Sequence, residues 1–379
     1  MSNPSETTPH ENDQDLIDLL RLSLIPGVGP KTRKKLLERF GTPAAVLAAA
    51  PSDLREIDGV GPKLLQKIAS EEHRQFDAAA EIAACRASGI DILTENHPSY
   101  PRLLKEIHDP PGVLFIRGEL KPQDAMAIGI VGTRHATPYG LRQAERLAGS
   151  LSRAGFTIIS GLARGIDAAA HRGALAAGGR TIAVLASGVM NIYPPEHDKL
   201  AAEVAAQGAL VSEAPPHMEP LSGTFPQRNR LISGLALGVI IVEAADRSGA
   251  LITARHAYEQ GKEVFAVPGS VENRTSRGCH RLIRDGAKLV ETADDVLEEL
   301  GPLVEAAPRD DGVVVHHPAE LLLNEVEQQI LSAIPAEATP LDAIIAATGL
   351  PVPQVLATIS VLEMRRLVRR LSGTTVMRL

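Results

Sequence analysis

The chain has no tryptophan, only two cysteines, and aromatic residues at just 3% of its 379 positions. Each scarcity removes a class of function. Cys85 and Cys279 lie far apart and neither belongs to a Cys-x-x-Cys pair, so no disulfide framework and no cysteine zinc site is expected, and a reducing cytoplasm fits. No uninterrupted apolar run approaches the roughly 20 residues that a membrane helix needs, and the opening "MSNPSETTPHENDQD" lacks the basic and apolar regions of a signal peptide. A soluble cytoplasmic protein without a membrane partner is the expectation. His171 and His280 lack metal-ligand spacing, which favours packing or surface roles, and His316-His317 reads as linker. Neither a metal nor a cofactor is implied.

What is present is charge, unevenly distributed. The net value of -7 conceals two acidic stretches: residues 1–20 carry five acids and no Lys or Arg, and residues 291–327 carry eleven acids against Arg309 alone. Arg228 to Lys288 holds ten Lys or Arg against six acids, and Val361 to Leu379 holds five Arg against Glu363. A binding partner meets the local field rather than the sum, so a nucleic-acid partner is compatible with the acidic total.

An internal repeat opens the chain: "IPGVGPK" at 25–31 returns as "IDGVGPK" at 57–63. In each copy the glycines make a tight turn, the valine packs between two helices, and Pro30 or Pro62 starts the second helix. Together they look like a helix-hairpin-helix pair. Such turns let backbone N–H groups approach a DNA phosphate, with Lys31 or Lys63 adding charge, but they serve equally as protein-packing modules. Two enzyme motifs are excluded by spacing. "GVGPKT" puts Pro30 where a phosphate-binding P-loop requires glycine, and "LASGV" at 185–189 lacks the leading glycine of a nucleophile elbow.

From about residue 112 to 300, short β-branched runs alternate with helical stretches: "AIGIVGTR", "FTIISGL", "RTIAVLASG", "GALVSEA", "GVIIVEA", "KEVFAVPG" and "AKLVE". Near-continuous apolar runs of this kind predict a doubly wound α/β domain, an extended Rossmann-like and mostly parallel sheet, with "GVLFIRG" at 112–118 adding an edge strand. The expected organisation is a tail over 1–13, a helical domain over 14–90, the Rossmann-like domain over 91–300, a linker over 301–320 and a C-terminal winged helix over 321–379. The last of these rests on three helical segments, "NEVEQQILSAI", "PLDAIIAATG" and "PVPQVLATISVLEMRRLVRRL", before a hairpin turned at Ser372-Gly373, with a core of Ile330, Ile344, Leu356, Ile359 and Leu362. Arg365, Arg366, Arg369 and Arg370 form a basic cluster on its last helix.

Open α/β sheets bind ligands beyond the carboxyl ends of their strands. Candidate groups there are Gly132-Thr133-Arg134, the segment from Gly161 to Arg164 and Gly165, Asn191 and Tyr193 in "GVMNIYP", Glu243 with Ser248-Gly249-Ala250, and Pro268-Gly269-Ser270. Gly161 and Gly165 leave the amides that open the next helix facing an anion, and Arg164 adds a charged fork. The spacing is GxxxG with arginine inside, not the GxGxxG of a dinucleotide enzyme. Arg134, Arg164, Arg228 and Arg230 on one rim fit several phosphates of a polymer, and each alternatively forms a structural salt bridge, with Asp167 or Glu213 as candidate partners. Tyr193 stacks on a base or caps the sheet.

The ordered set "VGTR", "SGLARGIDAAAHRGAL", "IYPPEH", "SEAPP", "FPQRNRLISGLA", "VIIVEAADRSGALITARHAYEQGKEVFAVPG" and "GCHRLIRDGA" resembles the DNA-processing protein A (DprA/Smf) family, over essentially all of residues 14–379. The resemblance implies a protein that is not an enzyme, that binds and protects single-stranded DNA entering the cell in natural transformation, and that helps load a RecA-type recombinase. It implies a homodimer formed through the Rossmann-like domain, with the dimer and recombinase faces near residues 263–300. The family's DNA pocket maps onto Gly132, Thr133, Arg134, Gly161, Arg164, Arg228, Asn229 and Arg230, with Asn191 and Tyr193 where members place a basic or aromatic contact, and Ser248 and Gly249 are added as candidates. The alternative is a nucleotide phosphoribohydrolase of the Lonely Guy type, with Glu243 near the position of the catalytic acid, but its glycine-rich signature is absent.

Overall fold

The glycine–valine repeat builds what its spacing predicts. The computed structural model describes residues 13–70, 76–300, 307–308, 314–315, 323–335, 337–364, 367–372 and 374–378. It opens with helices α1 (Asp13–Leu24), α2 (Pro30–Phe40), α3 (Pro43–Leu47), α4 (Pro51–Arg55), α5 (Pro62–Ala69) and α6 (Ala78–Ala87). Gly27 and Gly59 turn the chain at φ 105° and 95°, a region that favours glycine, and Pro30 and Pro62 each take the first helical position. Val28 and Val60 then pack with Leu22, Ile25, Leu36, Val46, Leu54 and Ile68 in one small core.

Beyond these helices come β1 (Ile90–Thr94), α7 (Arg102–Lys105), β2 (Val113–Gly118), β3 (Ala127–Gly132), α8 (Pro138–Arg153), β4 (Thr157–Ser160), α9 (Ile166–Ala176), β5 (Thr181–Val184), α10 (Asp198–Gln207), β6 (Ala209–Ser212), α11 (Thr224–Gly234), β7 (Gly238–Val242), α12 (Ala250–Glu259), β8 (Glu263–Ala266), α13 (Arg277–Arg284), β9 (Lys288–Leu289) and α14 (Ala293–Leu300). The strand order of the nine-stranded sheet is β1-β2-β6-β5-β4-β3-β7-β8-β9. Compactness divides the chain into one unit of Met1–Leu120 with Ala183–Leu235 and another of Lys121–Ile182 with Ala236–Leu379. Both units draw on the α/β segment.

In the first unit, β1 pairs antiparallel with β2, and β2 pairs antiparallel with β6. "GVLFIRG" is therefore not the edge strand expected of it. The edge is β1, "IDILT", whose mixed burial gives no continuous apolar run to read. In the second unit β3 pairs parallel with β4 and β7, and β7-β8-β9 continue parallel, with Gly132 opposite Val242 at the carboxyl ends of β3 and β7. Its core joins Ile128, Ile130, Ile158, Ile240 and Val242 to Leu147, Leu151, Ile166 and Ala170 on the covering helices, and to Val296 and Leu300 on α14. The run "AKLVE" contributes only the two residues of β9.

Further on, β10 (Ala307–Pro308) pairs with β11 (Val314–Val315). The C-terminal elements are α15 (Glu325–Ser332), β12 (Thr339–Pro340), α16 (Leu341–Thr348), α17 (Val352–Met364), β13 (Val368–Ser372) and β14 (Thr375–Arg378), with the small sheet ordered β12-β14-β13. This is a winged helix. Ile330, Ile344, Ile359 and Leu362 enter its core as expected, but Leu356 is 37% exposed and Val355 takes its place. The buried stripe of α17 runs Val355, Ile359, Leu362, at spacings of four and three. Arg369 and Arg370 lie on β13 rather than on the last helix, and Arg370 pairs with Glu363 at 3.6 Å, while Arg365 and Arg366 lie outside the described residues. Among the described residues no single helix is long and apolar enough to cross a membrane.

Candidate nucleic-acid interface

In the second unit, two strand-end turns meet. β3 ends at Gly132, where a Cβ would strike the carbonyl of Val242 and come within 2.6 Å of Ile166 Cγ1. Only glycine admits that approach. The chain continues with the Thr133 amide donating to the Glu243 carbonyl at 2.8 Å, the Thr133 hydroxyl accepting from the His135 amide at 3.2 Å, and Arg134 exposed. β4 ends at Ser160, whose hydroxyl donates to the Ile130 carbonyl at 2.6 Å. Gly161 and Leu162 follow, buried, then Ala163, exposed Arg164 and Gly165.

Gly165 stands at φ 74° and precedes α9 without a side-chain cap, and a Cβ there would meet the carbonyls of Thr133 and Arg134. The amide of Ile166 reaches the Thr133 carbonyl at 3.3 Å. Two glycines thus let the turns carrying Arg134 and Arg164 pack backbone to backbone at the amino end of α9. Asp167, considered as a salt-bridge partner for these arginines, is buried, and its carboxylate accepts from the Ala163 amide at 3.4 Å. That bond steadies the turn.

Glu243 is tied to the start of α8. It is 3% exposed at φ 55°, and its carboxylate accepts from the Thr137 amide at 2.8 Å and from the Thr137 hydroxyl at 2.5 Å. Thr137 is the N-cap of α8, so a buried negative charge sits against the positive end of that helix. Ser248 and Gly249 open α12, with the Ser248 hydroxyl accepting from the Ala250 amide at 3.3 Å. His171 is buried and its Nδ1 hydrogen-bonds the Thr181 hydroxyl at 2.7 Å, and His280 Nε2 hydrogen-bonds the Gly269 carbonyl at 3.0 Å. Among the described residues no cluster of His, Cys, Asp or Glu can hold a metal ion.

In the first unit, the segment after β5 is shaped by Asn191 through its backbone: its carbonyl accepts from the Ser187 hydroxyl at 2.6 Å and its amide donates to the Gly188 carbonyl at 3.0 Å. Tyr193 is 37% exposed and meets Phe225 edge to face, with ring centroids 5.7 Å apart. Sequence reasoning singled out Tyr193 but not Phe225, which stands in "FPQRNR" with nothing local to join it to residue 193.

Arg228, Asn229 and Arg230 lie within α11, and the two guanidinium groups are not on the surface. Arg228 is 6% exposed and donates to the carbonyl of Val184 at the end of β5. Arg230 is 5% exposed, donates to Glu213 at 2.5 Å and stands 3.5 Å from Asp109. The structural salt bridge with Glu213, left open by the sequence, is the arrangement found for Arg230. Asn229 is half-buried between them. Nearby, Arg33 of α2 is buried and donates to the Pro110 carbonyl at 2.7 Å, an anchor between residues that no local signal pairs.

A family model of DNA recombination-mediator protein A matches residues 91–301. The chain belongs to the DprA/Smf family. Models of a SAM-like helix-hairpin-helix tandem and of the DprA winged helix domain match residues 17–72 and 316–374. Among relatives, the protein Smf of Synechocystis sp. is 35% identical, with 93% of this chain and 96% of that protein covered, and the protein Smf of Escherichia coli is 42% identical over 72% and 73%. The crystal structure of DprA from Streptococcus pneumoniae covers 75% of this chain and 97% of its own, at 35% identity and a TM-score of 0.65. DprA from Helicobacter pylori, solved in connection with its single-stranded DNA binding mode, matches at 30% identity and a TM-score of 0.51, covering 57% of this chain and 97% of its own. As a DprA/Smf member the chain takes part in DNA processing.

Proposed function

We propose that the chain binds single-stranded DNA through the strand-end turns and, as a homodimer formed through the Rossmann-like domain, helps load a RecA-type recombinase onto DNA taken up in transformation. The observation that carries the DNA reading is the packing of the Gly132–Arg134 and Gly161–Gly165 turns against each other at the start of α9. Two exposed guanidinium groups beside the positive end of α9 offer phosphate contacts without reading bases. Tyr193, edge-packed on Phe225, supplies a π-face on which an unpaired base stacks. Duplex DNA, a rigid rod with its bases already stacked, has no use for that face. The relative from H. pylori with a single-stranded DNA binding mode agrees with this reading. Ser248 and Gly249 at the start of α12, Asn191, and Asn229 with Arg228 and Arg230 on α11 are assigned supporting roles, the two buried arginines by holding α11 in place. The dimer and recombinase faces are proposed near residues 263–300, and the setting is cytoplasmic.

Nucleotide hydrolysis gains nothing from the geometry, because the carboxylate of Glu243 is occupied by the cap of α8. The DNA test is fluorescence anisotropy with labelled oligothymidylate across a salt series. Arg134→Ala with Arg164→Ala is expected to weaken binding and to flatten the salt slope by about 0.7 for each phosphate no longer neutralised. An unchanged affinity and slope would place the DNA site elsewhere. Incubation with nucleoside monophosphates is expected to release no free base.

A further inference from the structure

A second basic feature of the same unit has no part in the site above. Between α8 and α9 lies a depression of about 530 Å³ lined by Arg142, Arg146, Arg153 and Arg172, with Glu145 as its one acid. Arg142, Arg146, Gly149 and Arg153 recur at helical spacing, so they share one face of α8 over about 16 Å of its length. The floor exists because the helices approach closely. A Cβ on Gly173 would strike the backbone of Glu145, and one on Gly149 would sit 3.2 Å from the Gly173 carbonyl.

The four guanidinium groups differ in how they are held. Arg146 donates to Gln143 Oε1 at 2.5 Å and to the Glu291 carbonyl, and Arg153 donates to the Ser150 hydroxyl at 3.1 Å, which fixes both along the groove wall. Arg142 and Arg172 are exposed and make no hydrogen bond or ion pair among the described residues. Protein segments draw most of their docking energy from anchor side chains seated in well-packed pockets. The floor here is Gly149, Gly173, Ala176 and Ala177, with no aromatic or large aliphatic side chain to receive one. A linear polyanion needs no anchor, and planar guanidinium forks suit phosphodiester oxygens.

We propose that the groove between α8 and α9 is a phosphate track for the backbone of a single nucleic-acid strand, separate from the strand-end turns and indifferent to base sequence. The proposal rests on the reading of the chain as a single-stranded DNA binder, and its test separates the two claims. Anisotropy with the full chain compares a short oligothymidylate, long enough to fill only the turn site, with one several-fold longer. Arg142→Glu with Arg172→Glu is expected to lower affinity for the long strand at least tenfold and to reduce its salt slope by about 1.4, the share of two phosphates, while the short strand binds as before. Arg142→Gln with Arg172→Gln, a milder change, gives the same pattern at smaller amplitude. Loss with both lengths, or with neither, overturns the track. So does polyglutamate of matched charge competing as well as the long oligothymidylate, which would make the groove a peptide site. Failure of the turn reading looks different: Arg134→Ala with Arg164→Ala then leaves short-strand binding intact.

Discussion

Arg134 and Arg164 stand exposed on strand-end turns of one unit, whereas Arg228 and Arg230 are 6% and 5% exposed on α11 of the other. All four come from motifs of similar regularity. The difference lies in what the backbone does around them. Glycine turns bring the first pair out beside the amides that open α9. A helix that packs against the end of β5 carries the second pair inward, where one caps a strand carbonyl and the other answers two carboxylates. Arginine near a phosphate-binding sheet edge thus has two uses, contact and support, and substitutions can tell them apart.

The largest effect is expected at Arg230. Arg230→Ala strands Glu213 and Asp109, whose side chains are 28% and 26% exposed. Breaking a fully buried pair costs about 3–5 kcal/mol, and the residual solvent contact of both acids places this case at about 3 kcal/mol. Urea unfolding measures it. Burial raises the Glu213 pKa and the Arg230 guanidinium opposes that rise. Without Arg230 the burial and the Asp109 charge that raise it are opposed by Arg33 alone, so the pKa rises further and the folded state binds a proton still more readily than the unfolded one. The deficit should then be fully present above the raised folded-state pKa and shrink as pH falls through it toward the ordinary carboxylate range. A variant as stable as the parent at neutral pH breaks the comparison.

Arg134→Ala with Arg164→Ala should behave in the opposite way. Stability stays within about 0.5 kcal/mol, as for surface substitutions, while single-strand affinity falls about a hundredfold, near 2.7 kcal/mol. A marked drop in melting temperature would move these arginines into the supporting class. Tyr193→Ala comes next, at about 1–2 kcal/mol of binding from a missing stacking face, with duplex competition unchanged. Glu243→Gln is expected to cost about 1 kcal/mol of stability through the weakened cap of α8, with DNA binding retained.

The legible parts of this molecule were those encoded locally. The Gly-Val-Gly-Pro turns, the alternation of apolar runs and helices, and the glycine-bounded turn at 161–165 each write their geometry into consecutive residues, and the family motifs carried the fold as a whole. What escaped depends on partners distant in sequence. β1 pairs with β2 without an apolar signature of its own, Phe225 meets Tyr193 across a loop, and the Arg230–Glu213 bond is one of two salt bridges that the sequence alone allowed. Leu356 and Val355 show a smaller limit: either spacing, three or four residues before Ile359, suits a helix face, and both candidates are apolar. The supporting arginines were hidden because charge is read from sequence as surface, although a guanidinium with a carboxylate or carbonyl within reach is stable inside.

The smallest expected effect is one of reactivity, and it tests whether support is confined to one unit. Cys85 lies in the first unit at 1% exposure and Cys279 in the second at 0%, and burial pushes both thiols up to about 11 from an ordinary 9.0. At pH 8 hardly any thiolate forms, and neither cysteine should react with iodoacetamide while folded. The raised values remove stability only as pH climbs from about 9 toward 11, so neutral conditions leave the fold untouched. In the Arg230→Ala variant, modest denaturant should expose Cys85 at a concentration where Cys279 is still protected, because the broken ion pair belongs to the unit that holds Cys85. Mass spectrometry after brief alkylation resolves the two sites. Simultaneous labelling would mean that the units open together and that Arg230 supports the whole molecule rather than its own half.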